Sequence, residues 1–443
     1  MKLIIIGAVA GGASAGAKAS RSDKTLQITM YEKDAEISYA ACGLPFYIGG
    51  ITDDIDAIIP RTPETFKSKY NIDVFTEHEV LTIDPPNKKL TVKNLKTDEI
   101  FDDHYDKLII ATGAHAFVPD IEGKDLPHVF NIRTAKDGKA IKAFIDAHHP
   151  KKAVVIGTGF IGLEMLENLD AVGIDVTLVD NDDKLTPHLD REMADLLYEK
   201  LKDRGVKLKM NAVLKRITKE SVIFENGDTV DTDLVILSIG IRPETRLATE
   251  AGVELGVTKA IKVNKKMQTN IEDIYACGDC IETFSLISGK PAYIALGTTA
   301  NKTGRIAGDV ITGGNLSYQG NLKTSIFRVF EYTVAMSGLS LNEAQKEDYD
   351  IVTVTHRALN KPDYMGGMEM TVFAIADKKS HRLLGVQIIG QEGVDKHIDV
   401  YVTLMTYGIR VEEFFHLDLS YVPPFANVRD LVHYTGMLLE SKM

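Results

Sequence analysis

The sequence predicts an α/β protein made of two similar βαβ units followed by a smaller α+β domain. The two units are predicted by a repeated pattern. Apolar runs at 3–6 and 153–156 each precede a glycine-rich turn and a helix-forming stretch, and a second apolar run then ends in Glu32 or Asp180. From about residue 324 the pattern changes to alternating strands, such as 325–334 and 371–376, with late helices. That change predicts a separate third domain.

The two units also end alike, because an apolar strand runs into a small-residue turn at 108–113 and again at 234–240. A third copy of this ending lies at 274–279. A chain of 443 residues is too long for one ordinary domain. We expect a discontinuous first domain over 1–115 and 247–322, an inserted second domain over 116–246, and a third over 323–443.

Composition excludes several classes of protein. A net charge of -12 argues against a nucleic-acid partner, which needs clustered lysine and arginine. Three cysteines cannot form an extracellular disulfide framework, and they fit a reducing compartment. No apolar run approaches the ~20 residues of a membrane span. Residues 1–6 briefly resemble a signal peptide, but no cleavage segment follows them. We expect a cytoplasmic protein without a membrane partner.

The second glycine turn has the complete G-x-G-x-x-G pattern, formed by Gly157, Gly159 and Gly162. These glycines permit a tight turn, close approach of the backbone to a pyrophosphate, and close helix packing. Asp180 follows Gly157 by 23 residues, where an acid accepts hydrogen bonds from the ribose of NAD and repels the 2′-phosphate of NADP. The pattern predicts dinucleotide binding and favours NADH over NADPH; the alternative is that Asp180 only begins a loop.

The first glycine turn is degenerate, because Gly7, Gly11 and Gly12 are present while Val9 replaces the middle glycine. Glu32 and the segment 277–279 favour a second dinucleotide fold here as well. Two such folds in one chain imply two cofactors. An electron relay between two dinucleotides needs a flavin on one side, so we expect FAD and NADH.

Over its whole length the chain resembles the FAD-dependent pyridine nucleotide-disulfide oxidoreductases. Within that family it is most similar to the coenzyme A-disulfide reductase branch, with the NADH oxidases and peroxidases as near relatives. The segments on which the resemblance rests are 7–13, 38–45, 111–114, 275–279 and 421–424.

The resemblance implies a homodimer and a set of cofactor-binding positions, with Asp279 on the ribityl chain of the flavin. The matching positions are Gly7, Val9, Ala10, Gly11, Gly12, Glu32, Lys33, Ser38, Cys42, Val80, Ala111, Thr112, Gly113, Arg133, Gly157, Gly159, Phe160, Ile161, Gly162, Glu164, Asp180, Gly240, Gly278, Asp279, Leu296, Gly297 and Thr298.

The resemblance also implies that Cys42 is a single redox cysteine beside the flavin, since no second cysteine lies near it. The alternative is a buried structural cysteine. Cys277 and Cys280 have C-x-x-C spacing, but one pair cannot complete a four-ligand zinc site. We expect no metal, and we interpret this pair as structural because the family segment around Asp279 accounts for the stretch.

Ala10 occupies the position at which oxidases and peroxidases of the family have a histidine, which favours the coenzyme A (CoA) branch. In that branch the matching CoA-binding positions are Ser14, Lys18, Arg21, Ser38, Ala41, Asn301 and Arg429. Lys18 and Arg21 lie three residues apart and therefore share a helix face. With Arg429 they are expected to form a basic pocket for the CoA phosphates; the alternative is a solvated surface.

The resemblance implies that Tyr421 and Tyr364 reach Cys42 from the partner subunit, with Tyr421 as the candidate general acid. The alternative is that either tyrosine only packs in the dimer interface. The expected activity is NADH-dependent reduction of CoA disulfide through a Cys42–S–S–CoA intermediate. Three alternatives stay open: an NADH oxidase that uses a Cys42 sulfenic acid, a CoA persulfide or polysulfide reductase, and a flavin redox sensor without turnover.

Overall fold

The computed structural model describes all 443 residues, and its N-terminal segment begins with an apolar strand that is buried on both faces. Such strands belong in parallel sheets covered by helices. The elements of this segment are β1 (Lys2–Ile6), α1 (Ala10–Ser22), β2 (Gln27–Tyr31), α2 (Leu44–Ile48), α3 (Pro63–Tyr70), β3 (Ile72–Phe75), β4 (His78–Asp84), β5 (Lys89–Asn94), β6 (Ile100–His104), β7 (Lys107–Ile110) and β8 (Ala114–Ala116). Strands β7, β1, β2 and β3 pair in parallel, and β4, β5 and β6 form a small antiparallel sheet.

The second unit repeats this plan with a parallel sheet in the order β12-β11-β10-β16-β9 and an antiparallel sheet of β13, β14 and β15. Strand β17 pairs with β8, so the two chain crossings between the units lie side by side. The elements are β9 (Val129–Asn131), α4 (Ala135–His148), β10 (Lys152–Ile156), α5 (Phe160–Ala171), β11 (Asp175–Val179), α6 (Arg191–Asp203), β12 (Lys207–Lys209), β13 (Leu214–Ile217), β14 (Ser221–Phe224), β15 (Thr229–Asp231), β16 (Leu234–Leu237) and β17 (Ile241–Pro243).

The chain then returns to the first unit. The returning elements are α7 (Arg246–Glu250), β18 (Ile274–Ala276), β19 (Thr283–Phe284), β20 (Pro291–Ala292) and α8 (Gly297–Ile311). Strand β18 pairs with β7 and completes the five-stranded order β18-β7-β1-β2-β3. Helix α8 lies directly against α1, because a side chain at Gly304 or Gly308 would overlap backbone of α1. Two glycines therefore set the distance between these helices.

The C-terminal domain is one antiparallel sheet in the order β21-β22-β25-β24-β23. One face of the sheet packs against the second unit, and the other packs against α10 and α11. The elements are β21 (Ser325–Val329), β22 (Tyr332–Gly338), α9 (Leu341–Lys346), β23 (Ile351–Leu359), β24 (Glu369–Asp377), β25 (Arg382–Gly390), α10 (Val394–Tyr407) and α11 (Leu431–Glu440), and short 3-10 helices lie at Ala41–Gly43, Ile55–Ile58, Asp363–Met365 and Val411–His416.

The predicted fold class is confirmed, but one expected strand is wrong. The alternating segment 325–334 is a hairpin rather than a single strand, because the chain turns at Phe330 with a φ of +54°. The turn contains no glycine or proline, so the apolar pattern runs through it without a break. No helix of the protein has both the length and the apolar character needed to cross a membrane.

The close contact between α1 and α8 can be tested by substitution. A methyl group at Gly308 would overlap the carbonyl oxygen of Ala15. We expect Gly308→Ala to lower the apparent Tm by roughly 2–10 °C, because backbone cannot move aside as a side chain can. Circular dichroism during heating measures this shift. Lys302→Ala, on the exposed face of the same helix, is the control and should leave the Tm nearly unchanged. An unaltered Tm in Gly308→Ala would contradict the packing described above.

Candidate active site

The first glycine turn is closed by a buried carboxylate. Gly7 has a φ of +99°, and a side chain at Gly12 would overlap the carbonyl oxygen of Gly7. Glu32 is 6% exposed; its Oε2 accepts a hydrogen bond of 2.9 Å from the Ala8 amide, and its Oε1 accepts one of 3.1 Å from Asp34. Burial raises the pKa of Glu32, although these amides oppose the shift. The turn thus combines backbone without side chains, a helix N-terminus and an acidic residue.

The second turn repeats this arrangement. Gly157 has a φ of +107°, and a side chain at Gly162 would overlap the carbonyl oxygen of Gly157. Asp180 Oδ2 accepts hydrogen bonds from the Thr158 amide at 2.7 Å and from its hydroxyl at 2.6 Å. A Cβ atom at Gly159 would have no neighbouring atom within 4 Å, so this side of the turn is open. Sequence reasoning did not identify Thr158, because the motif leaves its position undefined.

Most of the predicted cofactor-binding residues meet at the carboxyl edges of the two parallel sheets. At the first sheet these are Gly7, Val9, Ala10, Gly11, Gly12, Glu32, Lys33, Ala111, Thr112, Gly113, Gly278 and Asp279, and Leu296, Gly297 and Thr298 lie at the start of α8. At the second sheet they are Gly157, Gly159, Phe160, Ile161, Gly162, Glu164, Asp180 and Gly240. Val80 lies apart from these residues on β4, beside a bulge. The start of β4 is nevertheless joined to the first site, because the His78 amide donates to the Glu32 carbonyl.

Asp279 has a carboxylate oxygen that fits a polar ligand. Its Oδ2 pairs with Arg133 Nη2 at 2.7 Å, and Arg133 Nε also donates to the Ala114 carbonyl at 3.0 Å. The other oxygen, Oδ1, is buried and has no hydrogen-bond partner within the protein. Buried polar atoms in folded proteins are almost always paired. This oxygen therefore fits a hydroxyl of a ligand, as expected for a flavin ribityl chain.

Cys42 lies where the two units meet. It is in the 3-10 helix Ala41–Gly43, immediately before α2; the residue is exposed and its thiol is free. Helix α2 places Leu44 and Ile48 in the hydrophobic core of the second unit, and the absence of a side chain at Gly138 leaves room for Leu44. The cysteine is therefore fixed between the two glycine turns by packing on its C-terminal side.

The electrostatic surroundings disfavour the Cys42 thiolate. Desolvation of the sulfur raises the pKa of Cys42, the negative charge of Glu164 raises it further, and Arg133 opposes both. Glu164 lies on α5, where burial and the nearby Glu167 raise its pKa to about 7. A carboxyl group that ionises near neutral pH thus acts on the candidate redox sulfur.

The other two cysteines are not arranged for redox chemistry. Cys277 and Cys280 are both fully buried and free. The Cys280 thiol donates to the Cys277 carbonyl at 3.2 Å, and burial raises the pKa of both thiols. This environment fits the structural interpretation of the C-x-x-C spacing.

The predicted substrate-binding positions are partly brought together. Asn301 donates a hydrogen bond of 2.9 Å to the Ser14 hydroxyl, so these two positions are adjacent. Ser38 has a φ of +52°, and its amide donates to the Ala8 carbonyl beside the first glycine turn. Ala41 precedes Cys42 in the same 3-10 helix.

Within one chain, the three basic residues do not form the pocket that the sequence predicts. Lys18 forms a 2.8 Å ion pair with Asp309 of α8, so its charge is already compensated. Arg21 lies over the ring of Tyr70 at 5.7 Å. Arg429 is on the C-terminal domain, over the ring of Tyr434. Within one chain, Lys18 and Arg21 therefore have different partners despite their spacing.

Two further cations surround the same tyrosine and were not identified from the sequence. Arg61 lies 5.9 Å and Lys69 lies 5.7 Å from the centre of the Tyr70 ring. With Arg21 they form a cluster of positive charge, here named the Tyr70 cluster, in an otherwise acidic protein. No local motif connects these residues, because α1 and α3 come together only in the folded chain.

The two candidate tyrosines are both on the surface of the C-terminal domain. Tyr364 is 74% exposed in the 3-10 helix Asp363–Met365, and Tyr421 is 50% exposed between residues 417 and 430. Both rings are therefore accessible to a second molecule.

Comparison with known proteins identifies the family. Residues 1–304 match the model described as pyridine nucleotide-disulphide oxidoreductase, and residues 324–432 match the dimerisation domain of the same family. The chain belongs to this family of oxidoreductases. The resemblance inferred from the sequence is thereby confirmed.

Three similar proteins are named for different activities. A coenzyme A disulfide reductase of Staphylococcus haemolyticus is 35% identical, with 98% of each chain covered. An NADH oxidase of Methanocaldococcus jannaschii is also 35% identical, over 97% of this chain and 96% of that protein. The solved structure of an NAD-dependent persulfide reductase from A. fulgidus has a TM-score of 0.97 at 34% identity, and the match covers all of this chain and 83% of that one.

The effect of Glu164 on Cys42 is testable by alkylation. Because the Glu164 anion raises the pKa of the thiol, we expect Glu164→Gln to speed alkylation of Cys42 by iodoacetamide at pH 8 by up to about tenfold. Glu164 itself is protonated below its pKa of about 7, so the difference should fade near pH 6. Mass spectrometry of the Cys42 peptide over time measures both rates.

The control for this experiment is Glu250→Gln, an exposed glutamate of α7 that forms an ion pair with Arg246. It should alkylate at the rate of the unaltered protein. Slower alkylation in Glu164→Gln would contradict the electrostatic assignment.

Proposed function

We propose that this protein is an FAD-dependent reductase that uses NADH to reduce CoA disulfide through Cys42. The observation that best supports this function is a single free thiol, on an exposed cysteine, between two glycine turns of the dinucleotide-binding type. The full-length similarity to a protein named coenzyme A disulfide reductase agrees with it. A cytoplasmic homodimer, assembled through the C-terminal domain, is part of the proposal.

In this proposal the first unit holds FAD and the second holds NADH. When bound, FAD would supply the transfer of two electrons from NADH to sulfur. The residues suited to FAD are Glu32, at the ribose end of the first turn, and Asp279, through its unpaired Oδ1. Asp180 accepts three hydrogen bonds within the protein and retains capacity for about one ribose hydroxyl, since a carboxylate has about four lone-pair sites. The neighbouring Asp182 disfavours the additional phosphate of NADPH, whereas the charge of Asp183 is paired with Arg191.

The sulfur chemistry is a thiol–disulfide exchange. The Cys42 thiolate attacks one sulfur of CoA disulfide, the substrate S–S bond breaks, and a Cys42–S–S–CoA bond forms. One CoA leaves as a thiolate and takes up a proton. Two electrons from NADH then cleave the mixed disulfide, which releases the second CoA and restores the Cys42 thiolate. Each cycle converts NADH, one proton and one CoA disulfide into NAD⁺ and two CoA thiols.

The proton for the departing CoA is assigned to Tyr421 of the partner subunit, with Tyr364 beside it. A phenol is a suitable acid for a thiolate leaving group. Both rings are exposed on the C-terminal domain, as a contribution across a dimer interface requires.

CoA carries a phosphorylated nucleotide, for which the Tyr70 cluster offers a suitable surface. Arginine binds phosphate through two parallel hydrogen bonds, and an aromatic ring supports the guanidinium group. Arg21 and Arg61 both lie over Tyr70. We assign the nucleotide end of CoA to these residues and the pantetheine end to the path past Ser14 and Asn301 toward Cys42.

Two other acceptors would use the same sulfur. The relatives named NADH oxidase and persulfide reductase support oxygen and CoA persulfide as candidates. Ala10 weighs against oxygen, because this position lacks the histidine expected beside the cysteine of an oxidase. Oxygen uptake that matches NADH consumption without added disulfide would identify the oxidase, and sulfide release from CoA persulfide would identify the persulfide reductase.

The proposed role of Cys42 predicts that Cys42→Ser loses NADH-dependent release of CoA thiols by more than about 1000-fold, because no sulfur is left to form the mixed disulfide. Thiol release is measured with a chromogenic disulfide reagent after the NADH is consumed. Cys280→Ala, which removes one thiol of the buried pair, should retain turnover. Full activity in Cys42→Ser, or loss of activity only in Cys280→Ala, would refute the proposal.

The assignment of the CoA nucleotide to the Tyr70 cluster predicts an effect on substrate specificity. We expect Arg61→Ala to raise the KM for CoA disulfide by about tenfold through the loss of a charged hydrogen bond, with little change in kcat. Pantethine, the disulfide that lacks the nucleotide, should be reduced equally by both proteins. Lys24→Ala, which removes an exposed cation beyond α1, is the control for general charge. Equal effects on both disulfides would contradict the assignment.

A further inference from the structure

A buried histidine and aspartate lie behind the segment 418–429, which contains Tyr421 and Arg429. His397 of α10 is 2% exposed, and Asp430, which precedes α11, is 5% exposed. His397 Nε2 lies 3.1 Å from Asp430 Oδ2. Ionisable groups are rarely this buried unless they are paired.

Both ring nitrogens of His397 face acceptors. Nδ1 lies 2.6 Å from the Gly393 carbonyl oxygen, and Nε2 faces the Asp430 carboxylate. A carbonyl and a carboxylate accept hydrogen bonds, so the geometry accommodates a proton on each ring nitrogen, as in an imidazolium. The other ionisable groups near Asp430 are Lys396, with Nζ 3.9 Å from Oδ2, the phenol of Tyr401, and His433, whose ring accepts from the Asp430 amide.

Asp430 connects this ion pair to both ends of the segment. Its Oδ1 accepts from the Val432 amide at 3.0 Å and so caps α11. Its own amide donates to His433 Nδ1 at 3.1 Å, and His433 Nε2 donates to the Leu417 carbonyl at 3.0 Å. Burial raises the pKa of Asp430, but its hydrogen bonds and the His397 charge outweigh burial and bring it below the ordinary value. The segment is therefore held at residues 417 and 430 by one network.

The same network reaches the loop that contains Tyr364. Asn427 Nδ2 donates to the Leu359 carbonyl at 2.7 Å, which ties the two loops together. Asn360, which is buried, accepts from the Met368 amide at 2.8 Å and so closes the Tyr364 loop. A side chain at Gly393 would contact both Asn360 and His397. The two tyrosines thus share one internal support.

We propose that His397 is a positioning residue, whose buried ion pair with Asp430 holds Tyr421 and Arg429 where they serve the active site of the partner subunit. This inference rests on the proposed function of those two residues. A loop fixed at both ends presents the phenol and the guanidinium in one geometry, and errors of about 1 Å in such groups cost up to about 100-fold in rate.

The test compares four variants of the full-length holoenzyme, one of which is Tyr421→Phe. His397→Gln removes the charge and leaves the side chain unable to donate to both acceptors. His397→Arg keeps a cation with several donors. His356→Gln is the matched control, because His356 is a partly buried histidine that bonds to Thr435 of α11 but not to the loop. NADH-dependent reduction of ferricyanide, the flavin content and CoA-disulfide turnover are measured for each variant.

We expect His397→Gln to lower kcat/KM for CoA disulfide by about 10- to 100-fold, with ferricyanide reduction and flavin content unchanged. His397→Arg should recover most of that loss, and His356→Gln should show none of it. Undiminished disulfide turnover in His397→Gln, while Tyr421→Phe is impaired, would overturn the proposal. An equal loss of ferricyanide activity would also overturn it, because the role would then be general folding. If Tyr421→Phe itself keeps full turnover, the proposed acid fails instead.

The charge of the ring is tested separately. In ¹H–¹⁵N spectra of protein labelled at histidine, with the signals of His397 assigned from their loss in His397→Gln, we expect a directly bonded proton on each ring nitrogen. One unprotonated nitrogen would refute the imidazolium.

Discussion

The shape of both glycine turns depends on one hydrogen bond in each unit, and the two bonds are equivalent. The first amide after the opening glycine donates to the acid that ends the next strand, from Ala8 to Glu32 and from Thr158 to Asp180. This bond ties the turn to the neighbouring strand and fixes where α1 and α5 begin. The remaining amides of each helix N-terminus then face outward, and the dipole of the helix favours an anion there. Both proposed cofactor sites depend on this one closure.

Cys42 illustrates how two requirements of a reactive sulfur oppose one another. Partial desolvation of the sulfur disfavours the charged form that attacks a disulfide, while the exposed position of the residue leaves the sulfur open to a substrate. Arg133 is the nearby cation, but it is already paired with Asp279. The groups that set the charge around the thiol are therefore also groups assigned to the cofactors. The reactivity of the sulfur should depend on which cofactor is bound and on the ionisation of Glu164.

The parts of this structure that follow from local pattern were predicted from the sequence, including both βαβ units and the acids that end their second strands. The contacts that form between distant segments were not. Lys18 is spaced to share a helix face with Arg21, yet its ion pair with Asp309 depends on α8 packing against α1. The Tyr70 cluster and the His397–Asp430 pair likewise join residues from separate elements. The hairpin at Phe330 was missed because no turn residue interrupts the apolar pattern.

The discontinuous first sheet has a consequence for synthesis of the chain. Strand β7 is almost entirely apolar, and its outer edge is covered only by β18, about 160 residues later. At the usual speed of translation this edge stays uncovered for roughly 10–30 s while the whole second unit is made. An unpaired apolar edge invites pairing with other chains. Newly made protein should therefore depend on chaperones that act on nascent chains until β18 pairs with β7.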